Sequence, residues 1–193
     1  MQRLIALTLL VILSPFLLTL YILVKLTSKG PFIFKQKRAG KGKKPFYIYK
    51  IRTMVVDAEN LKSKIKNLNE ADGPAFKIAR DPRYTKFGRF LARAGLDELL
   101  QLVNIVKGEM AFVGPRPLPI AEAKKEPKKY DRRFSVLPGI TSLWVVEGTD
   151  HHDFDRWMKL DLEYVKKKSL WYDLKVSVKT VFLLFKLIVL SFQ

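Results

Sequence analysis

Apolar residues crowd the two ends of this chain, and charge crowds the middle. Leu4 to Val24 is uncharged and almost wholly apolar. At roughly 20 residues it is long enough to cross a ~30 Å hydrocarbon core as a helix. Ser14-Pro15 stands at the middle of the run. Proline has no N–H to donate and collides with the carbonyl four residues back, so a kink is expected, with the Ser14 hydroxyl available to a stranded carbonyl. Arg3 precedes the run and Lys25 and Lys29 follow it, so both flanks favour the cytoplasmic side. No small-x-small cleavage site follows, which argues against a secretory signal. The residues alone leave a re-entrant hairpin and a kinked span equally open.

The middle reads as short elements. Pro31 to Gln36 and Phe46 to Arg52 have strand character, joined by a basic turn at Gly40 to Lys44. Val55 to Leu68 reads as a charged helix with Val55, Leu61, Ile65 and Leu68 inward. Asn69 to Pro74 is a loop. Tyr84 to Ala94 and Leu96 to Lys107 read as two helices, the second stopped by Gly108. Met110 to Val113 is a short strand, Pro138-Gly139 a turn and Phe154 to Lys168 a helix. Leu170 to Phe192 is apolar except for a basic stripe. Lys168, Lys175, Lys179 and Lys186 share a narrow arc, and Trp171, Leu174, Phe182, Phe185, Val189 and Phe192 take the other faces. That pattern fits a helix lying in a membrane interface, its lysines reaching the headgroups. A lysine-faced core helix is the alternative.

Composition adds charge: 36 Lys plus Arg against 18 Asp plus Glu, a formal net of +18. Such a field attracts polyanions, whether nucleic acid, phosphorylated small molecules or an anionic membrane. With no cysteine, disulfides and thiolate metal sites are excluded. The 193 residues suffice for one domain with its own core.

Candidate chemistry begins at Asp97-Glu98, an acidic pair that opens a helix. Capping alone accounts for carboxylates there. Adjacent helical residues point about 100° apart, however, so one carboxylate can face a substrate while its neighbour meets a metal or a cation. A helix start also offers free N–H groups to phosphate. An ionised carboxylate beside a bound phosphate is what an aspartyl-phosphate nucleophile requires. Lys50 and Arg52, Arg80 and Arg83, Arg89 and Arg93 are possible phosphate partners, each equally readable as surface charge. Arg116 stands out, because Pro115 and Pro117 fix the backbone on both sides of it. His151-His152-Asp153 lacks a third ligand and does not read as a metal site. No Walker loop, GxGxxG, zinc spacing or Ser-His-Asp arrangement is present.

Four segments carry a resemblance: KPFYIYKIRTM (44–54), DPRYTKFGRFLARAGLDELLQLVNIVKGEMAFVGPRP (81–117), PGIT (138–141) and LDLEYVKKKSLWYDLKVSVKT (160–180). Together they resemble the bacterial sugar transferases, and most closely the small monotopic phosphoglycosyl transferases that start glycan assembly on undecaprenyl phosphate. The resemblance implies that Ser14-Pro15 breaks a re-entrant membrane helix. It implies that Asp97 attacks the β-phosphate of a UDP-sugar, releases UMP and holds the sugar phosphate until polyprenyl phosphate takes it. Glu98 completes the dyad, which is expected to hold Mg2+. Lys50, Arg52, Arg93, Pro115, Arg116 and Pro117 are the expected substrate-binding positions. An anionic phospholipid membrane is a further expected partner and nucleic acid is not; a homo-oligomer and downstream glycosyltransferases stay open. The expected place is the cytoplasmic face of a bacterial inner membrane.

The sequence departs from the family pattern at five positions. Ala92 replaces a common Arg, with Arg93 beside it, and Leu100 replaces a common Pro. Ser142, Val145 and Thr149 replace Gly, Gln and Arg near the region that surrounds the donor. The expected fold is mixed α/β and mostly helical, one structural unit: a re-entrant membrane helix (1–29), a catalytic domain with a small strand element beside the site (30–169) and an interfacial amphipathic helix (170–193). Two other readings of the same features are a non-catalytic membrane-surface scaffold and direct attack by the lipid phosphate with Asp97 as base.

Overall fold

Helix α1 runs over Gln2–Thr27 in the computed structural model, which describes residues 1–148 and 153–190. Helical backbone continues through Pro15. Pro15 leaves the carbonyl of Val11 without its usual donor. The Ser14 hydroxyl fills that place, donating to Val11 O at 2.7 Å. One stripe of α1 faces the protein: Ala6, Leu10, Leu13, Leu17, Leu20 and Val24, spaced alternately by four and three. The opposite face, including Leu4, Val11, Ile12, Leu18 and Leu26, is apolar and exposed.

The inner stripe rests on a hairpin and two short helices. Strands β1 (Ile33–Ala39) and β2 (Pro45–Ile51) pair antiparallel around the turn Lys41–Lys43. Helix α2 covers only Ala58–Lys64, followed by a 3-10 turn at Lys66–Leu68. The longer helix expected from Val55 to Leu68 does not form. Asp57 makes no side-chain cap, and Val55 and Leu68 are exposed rather than inward. Helix α3 (Lys86–Arg93) starts at Thr85, whose hydroxyl accepts from Gly88 N at 2.9 Å. Gly88 has no room for a side chain: a Cβ there would lie 1.9 Å from the Thr53 carbonyl oxygen. The stretch expected as one helix from Leu96 divides into a 3-10 turn, Leu96–Gln101, and helix α4, Leu102–Lys107.

The second half wraps the other side of the hairpin. Strand β3 (Ala111–Val113) pairs parallel with β4 (Gly139–Thr141). Pro138-Gly139 therefore leads into a strand rather than a free turn. The pairing is three residues long, too short to show as alternation in the sequence. Between these strands lie α5 (Ile120–Ala123) and a 3-10 helix over Lys128–Ser135. Helices α6 (Leu143–Val146) and α7 (Phe154–Lys167) follow, and α8 (Leu170–Leu190) closes the chain.

Tyr164 locks this half together, its hydroxyl bonded to the Val113 carbonyl at 2.9 Å and to Asp173 at 2.7 Å. Val176 and the Thr141–Thr180 hydroxyl pair seat α8 on the domain, while Trp171, Leu174, Val178, Phe182 and Phe185 stay exposed. Thr149, His151, His152 and Phe192 lie outside the described residues, as does the side chain of Val189. The fold is mostly helical with a small strand element.

Candidate active site

The acidic pair sits where α3 turns back toward the hairpin. Gly95, with φ of +69°, makes that reversal, a conformation that L side chains rarely adopt. The 3-10 turn then presents Asp97 and Glu98 to the end of β2. Lys50 Nζ meets both carboxylates, at 3.1 Å from Asp97 Oδ2 and 2.7 Å from Glu98 Oε1. Arg116 reaches Glu98 Oε1 from the other side at 2.8 Å. The two adjacent acids are thereby differentiated. Burial raises the Glu98 pKa, but Arg116 and Lys50 outweigh it and hold the carboxyl well below the usual range. For Asp97, burial wins over Lys50 and the neighbouring Glu98 adds to it, so its pKa is raised. Glu98 is a settled anion between two cations. Asp97 has one hydrogen bond among the described residues, from Lys50, and its Oδ1 has no protein partner.

Lys50 owes its position to Asn104. That side chain accepts from Tyr49 N at 3.1 Å and donates to the Tyr47 carbonyl at 2.7 Å, acting as an extra strand partner for β2. The Pro115–Pro117 loop is held along its backbone. The carbonyl of Pro115 accepts from Gly139 N, that of Arg116 from Arg133, that of Pro117 from Arg38 and that of Leu118 from Ala39 N. Arg133 is itself buried, bonded through Nε and a terminal nitrogen to Asp161 Oδ2 and lying 3.6 Å from Glu126. Asn104, Arg133, Asp161 and Arg38 were not legible as site residues. Asn104 is a polar residue among the apolar positions of α4, but Arg38 and Arg133 lie in basic, largely exposed stretches that give no such signal.

A cavity of about 420 Å3 opens beside Asp97, within the range that takes small organic ligands. Lys50, Arg52, Arg38, Arg83, Tyr84 and Phe76 also line it. Glu98, Arg116, Pro115 and Pro117 are not part of this lining, and the loop meets the acidic pair through the Arg116–Glu98 contact. Two expected residues are placed otherwise. Arg52 lines the cavity, but its guanidinium donates to the carbonyls of Pro31, Ser28 and Met54, clamping β2 to the end of α1. Arg93 is exposed in the last turn of α3 and does not reach the cavity. Arg83 is tied up in a buried pair with Asp81 at 2.6 Å.

The sequence model of the family described as bacterial sugar transferase matches residues 1–187. The chain belongs to the bacterial sugar transferase family. This family member is 42% identical to the galactosyl transferase CpsE of Streptococcus agalactiae over 79% of its own length and 34% of that protein. It is 38% identical to the undecaprenyl-phosphate galactose phosphotransferase of Salmonella typhimurium, covering 89% of the chain and 37% of the relative. A UDP-glucose:undecaprenyl-phosphate glucose-1-phosphate transferase of Caulobacter vibrioides is 37% identical over 87% of the chain and 62% of its own length. The chain thus spans about a third of the length of most of the curated relatives it matches.

Proposed function

We propose that this chain is a phosphoglycosyl transferase that moves a sugar 1-phosphate from a UDP-sugar to polyprenyl phosphate and releases UMP. The observation that carries this reading is the asymmetry of the dyad: Asp97 opens on the cavity with one oxygen unpartnered, while Glu98 is fixed behind it by Lys50 and Arg116. Substrates named for the relatives, UDP-sugars and undecaprenyl phosphate, supply the chemistry to test.

In the first step an Asp97 carboxylate oxygen attacks the β-phosphorus. The bond from that phosphorus to the bridging oxygen breaks, and its electron pair leaves with UMP. In the second step a phosphate oxygen of the lipid attacks the same phosphorus, forms the diphosphate and restores the carboxylate. Splitting the reaction lets one small site serve a water-soluble donor and then a lipid. Lys50 neutralises charge on both carboxylates, and the Glu98–Arg116 pair holds the geometry.

The donor set suits Mg2+ held jointly with the substrate. Magnesium commonly takes one or two carboxylates together with substrate phosphates. Among the described residues no third acidic or histidine ligand joins the dyad. When bound, the ion would offset the charge of the diphosphate. Asp97 and Glu98 are the residues to hold it.

The membrane reading follows from α1 and α8. Alpha1 is long and apolar enough to cross a bilayer, yet little of it is buried, unlike the core helix of a soluble protein. Ala6 near one end and Val24 near the other both rest on the same domain. We infer a monotopic protein, with α1 re-entrant, α8 in the interface and the site at the cytoplasmic face of the inner membrane.

The test is UMP release from a panel of UDP-sugars, with undecaprenyl phosphate and magnesium, by the full chain in detergent. Release that requires both the lipid and Asp97 supports the reaction. A labelled phosphosugar trapped on the protein without lipid supports the covalent path. Lipid-dependent release without any trapped species favours direct attack. No release by a folded protein would leave a donor outside the panel or the scaffold.

A further inference from the structure

Arg38, near the end of β1, lines the same cavity as Asp97 and Lys50. Its surroundings are unusual for a half-buried cation. One terminal nitrogen donates to the Pro117 carbonyl at 2.8 Å. Its Nε is buried and has no hydrogen-bond partner. The neighbouring cation, Arg116, takes Glu98 for itself. Glu122, Glu98 and Glu59 act on Arg38 only at longer range. Burial, and then the like charge of Arg116, push the Arg38 pKa down to about 10, so the group stays charged at neutral pH.

A cation partly withdrawn from water beside a second cation is costly unless an anion completes it. Bracing Pro117 needs one donor, whereas a guanidinium offers five in a planar fork matched to phosphate oxygens. The carbonyl bond to Pro117 fixes the fork's orientation. The charge it carries into the cavity is not matched by any carboxylate at ion-pair distance among the described residues.

We propose that Arg38 binds a phosphate of a nucleoside diphosphate in this cavity, alongside Lys50. This assignment rests on the reading of the cavity as a UDP-sugar site and names a residue for its diphosphate. It predicts that recognition of the phosphates, and not of the nucleoside, depends on Arg38.

The experiment is calorimetric binding of UDP and of uridine to the full chain in detergent, for wild type, Arg38→Gln and Arg38→Lys. Arg38→Gln is expected to weaken UDP binding about tenfold or more, the worth of a charge-assisted hydrogen bond, with uridine binding unchanged. Arg38→Lys, which keeps the charge but not the fork, should lower the preference for UDP over uridine about threefold. Equal binding of UDP by wild type and Arg38→Gln overturns the assignment. So does a parallel loss of UDP and uridine, which would mark Arg38 as a brace alone. If Arg38→Gln does not fold, an unchanged UDP-to-uridine preference in Arg38→Lys overturns it instead. A wild type that does not prefer UDP to uridine overturns both the assignment and the donor reading, which UMP release tests separately.

Discussion

Two clusters of paired charge meet at Arg116, one through its side chain and one through its carbonyl. In one, Lys50 and Arg116 face Asp97 and Glu98, two cations for two anions. In the other, Arg133 alone faces Asp161 and Glu126. The first lies beside the cavity, with side chains of Lys50, Asp97 and Glu98 10–17% exposed. The second is sealed, its three side chains at 0–1%. Burial is greater and charge less balanced in the cluster that lies away from the cavity. What distinguishes the cluster proposed to react is access: a carboxylate oxygen with no partner among the described residues, beside a space for ligand. The sealed cluster instead holds the backbone from which Arg116 reaches Glu98.

The variant that separates the clusters most sharply is Asp97→Asn. It should cut turnover by ~10^4-fold or more, as loss of a covalent nucleophile does, while the melting temperature stays near that of wild type. Substantial activity in Asp97→Asn would mean that the open cluster is not the reactive one.

Arg133→Gln attacks the other side. Breaking a buried pair by removing one partner costs about 3–5 kcal/mol, and here two carboxylates lose their cation. Denaturant unfolding should show that loss. A silent Arg133→Gln would erase the distinction between the clusters.

Lys50→Met is the intermediate case. Losing a charged hydrogen bond to each carboxylate should lower kcat/KM about 10–100-fold. Lys50 pulls the Asp97 pKa down, so its removal should move the acid limb of the pH–rate profile upward. A limb that moves down or stays put would sever Asp97 from that limb.

The smallest effect is in the pH dependence of stability. Burial pushes the Asp161 pKa up to about 6, against the pull of Arg133. A raised folded value gives stability that is full below the unfolded value of about 3.9 and is lost as pH rises through about 6. Glu98 has the opposite sign: its pairing stabilises above its unfolded value and is lost only as pH falls far below it. Relative to Asp161→Asn, wild type should lose a few degrees of melting temperature between pH 5 and 7. Parallel melting curves would refute the assignment to Asp161.

Much of this arrangement was legible in the sequence, for local reasons. Gly95 before the acidic pair, the two prolines around Arg116 and the Ser14-Pro15 step each act within a few residues of themselves. What escaped depends on the tertiary fold. Arg133 and Asp161 are 28 residues apart, and Asn104 meets Tyr47 across 57. Arg52 and Arg93 looked equivalent as basic residues near phosphate chemistry. The chain bends Ser28 and Pro31 onto one and leaves the other at a helix end facing away. The parallel β3–β4 pair was hidden by its brevity, and α2 falls short because the segment has no cap to start it.

The inner stripe of α1 makes the anchor part of the hydrophobic core. Ala6 packs with Ile48, Leu102 and Ile105, and Leu20 and Val24 pack with Ile51, Leu91 and Leu100. Those same elements carry Lys50 and the acidic pair. Trimming residues 1–27 would therefore yield no soluble catalytic fragment, but a domain with its floor removed and an oily surface where the helix lay. On the proposed reading, lipid, helix and reactive carboxylate would form one continuous stack, and a disturbance of α1 by the bilayer would reach the ground on which Asp97 stands.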